Sequence, residues 1–366
     1  MKVNCIHYHS IWETPNKPTS IQIIDQRKLP HFFIIEELKS LNDFVIAIKD
    51  MHLRGAPLIG IAAAYAIANT AFSSKKATLL EFDANIKNAY NTLLQTRPTA
   101  INLKWALEKQ INELNKQNTI KQKIESTIQT ARNIANEELE NCKKIGQFGL
   151  ELIEMIYTKK NSPVNILTHC NAGWLATIDY GTATAPIYFA NEKNIPIHIW
   201  VDETRPRNQG TKLTAWELKN ENIPYSIIAD NTGGLLMMKG MVDIVIVGSD
   251  RTTAAGDVAN KIGTYLKALA AKANNVPFYV ALPTSTIDWT IDDGISQIPL
   301  EIRNPDEILY IDGLYEGEII KVLIAPEDSN ALNFAFDITP AQLISGLITE
   351  KGICYANKES ISSLKQ

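Results

Sequence analysis

What this sequence lacks narrows the field first. It has no Cys-x-x-Cys pair: its four cysteines, Cys5, Cys142, Cys170 and Cys354, are scattered through 366 residues. That spacing argues against a disulfide framework and fits a reducing, cytoplasmic setting. No apolar run reaches the ~18 residues that cross a bilayer. The longest, residues 57–68, gives way to Asn69 and Thr70, so no membrane association is expected. The N-terminus MKVNCIHYHSIWE has no apolar stretch of the secretory type. There is no strong basic excess either: the net charge is -4 and the pI about 5.9, so a nucleic-acid partner is not expected. No GxGxxG follows the first strand, and no GxxxxGK[ST] or GxSxG occurs, which leaves dinucleotide, nucleoside triphosphate and hydrolase-elbow chemistry unsupported.

What is present divides into two rhythms. Residues 6–29 alternate like strands and suggest a small antiparallel ribbon. Residues 38–51, 60–69, 79–94, 103–115 and 120–159 carry apolar positions at helical spacing, the second of them apolar on every side. After Ser162-Pro163, short β-branched runs at 164–168, 197–201, 226–229, 244–247, 278–281 and 322–325 alternate with helical stretches at 181–191, 210–219 and 260–273. This is an α/β pattern: a mostly helical N-terminal domain (1–158) with a small antiparallel β element, then a Rossmann-like parallel-sheet domain (159–366).

In an open parallel sheet, ligands bind beyond the carboxyl ends of the strands. The residues just past these runs are polar: His169-Cys170-Asn171, Asp202 to Arg205, Asp230-Asn231, and Ser249-Asp250-Arg251. Cys170 enters a Gly-containing turn whose N–H groups suit a thiolate; a packed core cysteine would look the same. Neighbours on an extended chain point apart, so His169 reads as structural. Asp250, fed by DIVIVGS, is either a proton donor or acceptor in an apolar pocket or a cap and partner for Arg251. Asp202 and Arg205 read as a structural pair. Arg54 precedes the apolar helix, whose first N–H groups favour an anion. Arg97, and Lys261 with Asn260 at an expected helix start, are further phosphate-binding candidates. The Cys5-x-His7-x-His9 spacing would put three metal-ligand types on one strand face. No fourth ligand or second cluster accompanies it, so no metal and no cofactor is expected.

Longer segments carry a resemblance: RGAPLIGIAAAYAIA (54–68), QTRPTAINLKWAL (95–107), LTHCNAGWLATIDYGTATAPI (167–187), VDETRPRNQGTKLTAWEL (201–218), VIVGSDRTTAAGDVANKIGTYLKALAA (245–271) and FAFDITPAQLISGLITEKGI (334–353). In that order, over nearly the whole chain, they resemble methylthioribose-1-phosphate isomerases. The resemblance implies a homodimer converting a sugar phosphate, 5-methylthioribose 1-phosphate, to its ketose in methionine salvage. It also implies Cys170 and Asp250 as catalytic residues, with Arg54, Gly55, Ala56, Arg97, Gln209, Asn260 and Lys261 contacting substrate. Ribose-1,5-bisphosphate isomerases and regulatory subunits of a translation-initiation nucleotide-exchange factor share the architecture and are the alternatives. Two departures from the family pattern, Asp230-Asn231-Thr232-Gly233-Gly234 and Gly248-Ser249-Asp250, bear on the C5 substituent and leave room for 5-deoxyribose 1-phosphate as a further substrate.

Overall fold

Short strands open the chain in the computed structural model, which describes residues 1–97 and 100–365. Strands β1 (Lys2–Val3) and β2 (Ile6–His7) form an antiparallel ribbon, with Asn4 and Cys5 turning between them at positive φ. β3 (Ile11–Thr14), β4 (Lys17–Ile24) and β5 (Ile35–Leu38) make a three-stranded antiparallel sheet. Ile11, Ile21, Ile23 and Leu38 alternate onto its inner face, where they join the helical core.

Helix α1 (Leu41–Lys49) starts at a capping box, with Ser40 and Asp43 each satisfying the other's backbone N–H. α2 (Ala56–Ser73) runs further than the apolar stretch suggested, and by length and composition alone it would span a membrane. Its surroundings explain the composition. α2 packs against α3 (Leu79–Leu94), α4 (Ile101–Asn115) and α5 (Ile120–Lys160), so most of its surface lies inside the protein. α5 ends at Asn161 in the left-handed conformation and also packs on α6 (Ala185–Glu192), joining the helical layer to the sheet.

The sheet is built from β6 (Val164–Thr168), β7 (Ile197–Asp202), β8 (Tyr225–Ile228) and β9 (Ile244–Val247). Next come β10 (Arg251–Thr253) and β11 (Val258–Lys261), which leave the sheet, and β12 (Phe278–Ala281), which rejoins it. The remaining strands are β13 (Ile287–Asp288), β14 (Ile302–Arg303), β15 (Tyr310–Tyr315), β16 (Glu318–Leu323), β17 (Asn333–Phe334), β18 (Phe336–Thr339), β19 (Gly346–Thr349) and β20 (Gly352–Cys354). The main sheet has the order β20-β19-β12-β9-β6-β7-β8, and only β20 runs antiparallel. α6, α7 (Ala215–Asn220), α8 (Thr232–Met238) and α9 (Thr264–Ala273) supply the crossovers. Every residue of β9 is buried, as expected for a strand covered on both faces. Burying a side chain such as Ile246 contributes roughly 1.5–3 kcal/mol.

From β6 the chain winds outward through β7 to β8, then returns to lay β9 on the other side of β6. The winding reverses between β6 and β9, and that reversal opens a crevice at their carboxyl ends. One expected strand is misplaced. Residues 322–325 do not enter this sheet: β16 pairs with β15 in a separate antiparallel hairpin, and the position beyond β12 belongs to β19. An exposed hairpin and a buried sheet strand both read as β-branched runs, and only long-range pairing separates them.

Candidate active site

Cys170 lies just past β6 and Asp250 just past β9, two paired strands, so the reversal of winding brings them to one crevice. The approach is close because Gly248 has no side chain: a Cβ there would sit 2.5 Å from that of Ala172. Cys170 adopts a left-handed backbone, φ 67°, which costs a non-glycine residue about 1–2 kcal/mol. Hydrogen bonds hold it there. Its N–H donates to Thr204 Oγ1 at 2.8 Å, and its carbonyl accepts from Thr214 Oγ1 at 2.6 Å. The thiol donates to Gln209 Oε1 at 3.3 Å. Asp250 is fixed by its N–H, which donates to Ala259 O at 3.0 Å.

Three cations surround this pair. Buried Arg54 donates through Nη1 and Nη2 to the Asn171 carbonyl at 2.9 and 2.7 Å, and through Nη2 to Asn171 Oδ1 as well. Its Nε is buried with no hydrogen-bond partner among the described residues. Gly55 caps α2 at φ 104°, where a Cβ would strike Ala176 O at 2.3 Å, so only glycine allows the helix start to reach the cleft. Lys261 Nζ donates to Ala335 O at 2.9 Å and lies 4.9 Å from the Phe336 ring centre. Asn260 Nδ2 donates to Thr264 Oγ1 at 3.0 Å. Arg97 Nη2 reaches Glu301 Oε2 at 3.4 Å, and its Nε is buried with no hydrogen-bond partner among the described residues. Arg54, Gly55, Ala56, Arg97, Cys170, Gln209, Asp250, Asn260 and Lys261 all line one cleft.

Each group perturbs the others. Burial pushes the Cys170 thiol up, against the pull of Arg54 and Lys261. Burial also raises the Asp250 carboxyl, with Lys261, Arg97 and Arg54 opposing. Both side chains keep one edge open to the cleft. Burial lowers Lys261 and Arg54, and the nearby Cys170 and Asp250 offset part of that loss. The cleft thus combines a thiol held protonated, a carboxyl raised above its ordinary range, and cations with spare donors. That is a receptacle for an anionic substrate undergoing proton transfer.

Some expectations need correction. Asn260 and Lys261 are not at a helix start but on β11, pairing with Asp337 and Phe336 of β18; the helix begins after Gly263. Asp202 does not pair with Arg205. Its carboxylate meets His169 Nδ1 at 2.9 Å and Lys267 Nζ at 3.1 Å, whereas Arg205 donates to the carbonyls of Pro206 and Ile308. Arg251 pairs with Asp288 rather than Asp250. His169 is structural, with Nε2 bonded to Ile262 O at 2.9 Å. The sequence reading missed Glu217, which accepts from Asn171 Nδ2 at 2.9 Å, the Leu175 N–H at 3.0 Å and Tyr188 Oη at 2.8 Å. A carboxylate inside the otherwise amphipathic TAWEL stretch was the only available signal.

A reversed-winding α/β sheet with this cleft places the chain in a known class. It belongs to the initiation factor 2 subunit family, which residues 52–356 match. Within that family it is similar to a methylthioribose-1-phosphate isomerase from Desulfatibacillum aliphaticivorans, at 51% identity over 366 residues, covering 100% of this chain and 98% of that one. Among solved structures it is similar to 5-methylthioribose 1-phosphate isomerase from Pyrococcus horikoshii OT3, with TM-score 0.84, 37% identity and 98% and 96% of the two chains covered. It is also similar to the translation initiation factor eIF-2B delta subunit from A. fulgidus, with TM-score 0.79, 36% identity and 98% and 100% covered.

Proposed function

We propose that this protein is an aldose-ketose isomerase converting 5-methylthioribose 1-phosphate to 5-methylthioribulose 1-phosphate, as a step of methionine salvage. The observation that carries this reading is the convergence of Cys170 and Asp250 in one cation-rimmed cleft. Arg54, Arg97, Lys261 and the N–H groups at the start of α2 receive the phosphate. Gln209 and Asn260 contact the sugar hydroxyls.

Phosphate blocks the anomeric oxygen, so the ring opens only if its oxygen is protonated as the C1–O bond breaks. The thiol starts from a higher ordinary value than the carboxyl and is raised further. Cys170 is therefore the donor to the ring oxygen, and Asp250, as carboxylate, takes the proton from C2. Asp250 then returns that proton to C1 while the C2 hydroxyl re-protonates the Cys170 thiolate, leaving the ketose and a restored enzyme. Turnover in deuterated water tests the route. Deuterium at C1 of the product supports it and rules out direct hydride movement; complete retention of the C2 hydrogen at C1 excludes an intermediate whose proton on Asp250 exchanges freely with solvent.

Met51, Ile59, Ile298, Pro299 and Phe336 give the cleft an apolar wall, which supports an uncharged C5 substituent over a second phosphate. Comparing kcat/KM for 5-methylthioribose 1-phosphate and ribose 1,5-bisphosphate tests this. Preference for the bisphosphate would overturn the assignment. The same wall accommodates 5-deoxyribose 1-phosphate, which we include as a further substrate for that assay. We also read the chain as a cytoplasmic homodimer. Four unpaired cysteines support the compartment. Exposed Leu235, Met238, Leu266 and Leu269 on α8 and α9 support the dimer, and light scattering of the purified protein checks it.

A further inference from the structure

Away from the cleft, the N-terminal ribbon meets the loop that precedes α6, and three donor side chains converge there. Asp179 is only 2% exposed. Its Oδ2 lies 2.8 Å from His7 Nε2 and 3.5 Å from His9 Nδ1, and the three donor atoms all fall within 4.8 Å of one another. The two imidazoles meet edge to face, with centres 4.9 Å apart. Among the described residues, His9 Nδ1 is buried without a hydrogen bond of ordinary geometry, and it faces the carboxylate. The other oxygen, Oδ1, accepts from the Tyr180 N–H at 3.0 Å and from the Met1 amine at 2.5 Å. None of the three residues lines the cleft, so the isomerase chemistry does not account for them.

We propose that His7, His9 and Asp179 form a binding site for a divalent first-row transition cation such as zinc, cobalt or nickel. Two imidazole nitrogens and one carboxylate oxygen suit such ions; magnesium and calcium prefer all-oxygen shells. Donors around a tetrahedral zinc stand about 3.3–3.6 Å apart, given bonds of about 2.0–2.2 Å. The 3.5 Å between His9 and Asp179 matches that spacing, and the largely exposed His7 ring, now 2.8 Å from the carboxylate, has room to swing outward to admit the ion. Water completes the shell on the side where the His7 ring is exposed.

The cation would act as a clasp. Ser10, next to His9, donates its N–H to Ile178 O at 3.1 Å and its hydroxyl to Thr177 O, and Thr177 lines the cleft. Joining His7 and His9 to Asp179 therefore fixes the ribbon to the segment that forms one cleft wall. Stabilisation is the direct consequence, since a ligand bound only by the folded state raises its melting temperature.

The test uses the full chain, stripped with a chelator and titrated with cobalt and then zinc. One equivalent of cobalt should bind, give the visible absorption of a low-coordinate nitrogen and oxygen site, and raise the melting temperature. His7→Ala, which removes a largely exposed ring, should weaken binding by about tenfold or more while leaving the fold intact. His9→Ala should do the same. Cys170→Ser should bind as the parent does. No saturable uptake at micromolar metal, unchanged uptake in His7→Ala, or loss of uptake in Cys170→Ser would each overturn the site.

Discussion

The thiol of Cys170 donates to the side-chain oxygen of Gln209 at 3.3 Å, linking the tip of β6 to the segment after β7. The bond aims the thiol hydrogen within the cleft, so Gln209 orients the proposed donor as well as touching substrate. Gln209→Leu removes the acceptor but keeps the bulk. One hydrogen bond of this type is worth about 1 kcal/mol, so kcat/KM should fall at least about fivefold. Alkylation of Cys170 by a neutral reagent, followed alongside, should change rate in the same variant.

Arg54 and Glu217 never touch, yet Asn171 joins them: its two oxygens hold the guanidinium and its amide donates to Glu217. Burial raises the Glu217 carboxyl, while the Asn171, Leu175 and Tyr188 donors pull it down. Asn171→Ala should loosen the Arg54 fork, raising KM for the sugar phosphate more than it lowers kcat. It should also cost about 1–3 kcal/mol of stability, because buried polar groups lose their partners. Steady-state kinetics and urea denaturation on the same protein separate the two effects.

Glu138 is a buried carboxyl on α5 with no part in the proposed chemistry, and burial raises it from 4.5 to about 8. The Cys142 thiol donates to it at 3.5 Å. The folded state therefore holds a proton that the unfolded chain releases. Its stabilising effect is complete below pH 4.5 and is lost progressively as the pH rises toward about 8. The slope from this group reaches about 1.4 kcal/mol per pH unit at most. Glu138→Gln should flatten that slope in denaturation curves collected from acid to mildly alkaline pH.

As the proton acceptor, Asp250 must be ionised in the free enzyme, and its carboxyl lies above the ordinary 3.8. The acid limb of kcat/KM should therefore appear above the usual carboxylate range. Lys261→Met removes the strongest opposing charge and should move that limb to higher pH. An unmoved limb would mean that a different group sets it.

Much of the fold was legible because its signals are local. β6, β9 and β12 are short strand-forming runs rich in apolar residues, β9 β-branched throughout, and α3 is a stripe of apolar residues at helical spacing; all four occupy the residues their patterns indicated. The rule that ligands sit past the carboxyl ends of strands led to Cys170 and Asp250. What stayed hidden depends on distant pairing. β11 reads as a helix start until β10 and β18 flank it, and β16 reads as a sheet strand until β15 claims it. Glu217 gains its partners only when α7 packs under the turn at Asn171. Arg97 sits at the edge of the described residues, and the Pro98 and Thr99 that follow it in the quoted motif lie outside them.

The measurement that tests the account most directly is turnover of 5-methylthioribose 1-phosphate by the parent chain, Cys170→Ser and Asp250→Asn. The parent should form the ketose phosphate. Each variant should lose about 10²–10⁴-fold in kcat, the usual cost of removing a positioned proton donor or acceptor, while circular dichroism stays unchanged. Parent-level turnover in either variant, or none in the parent, would contradict the claim that this thiol and this carboxyl act on one bound sugar.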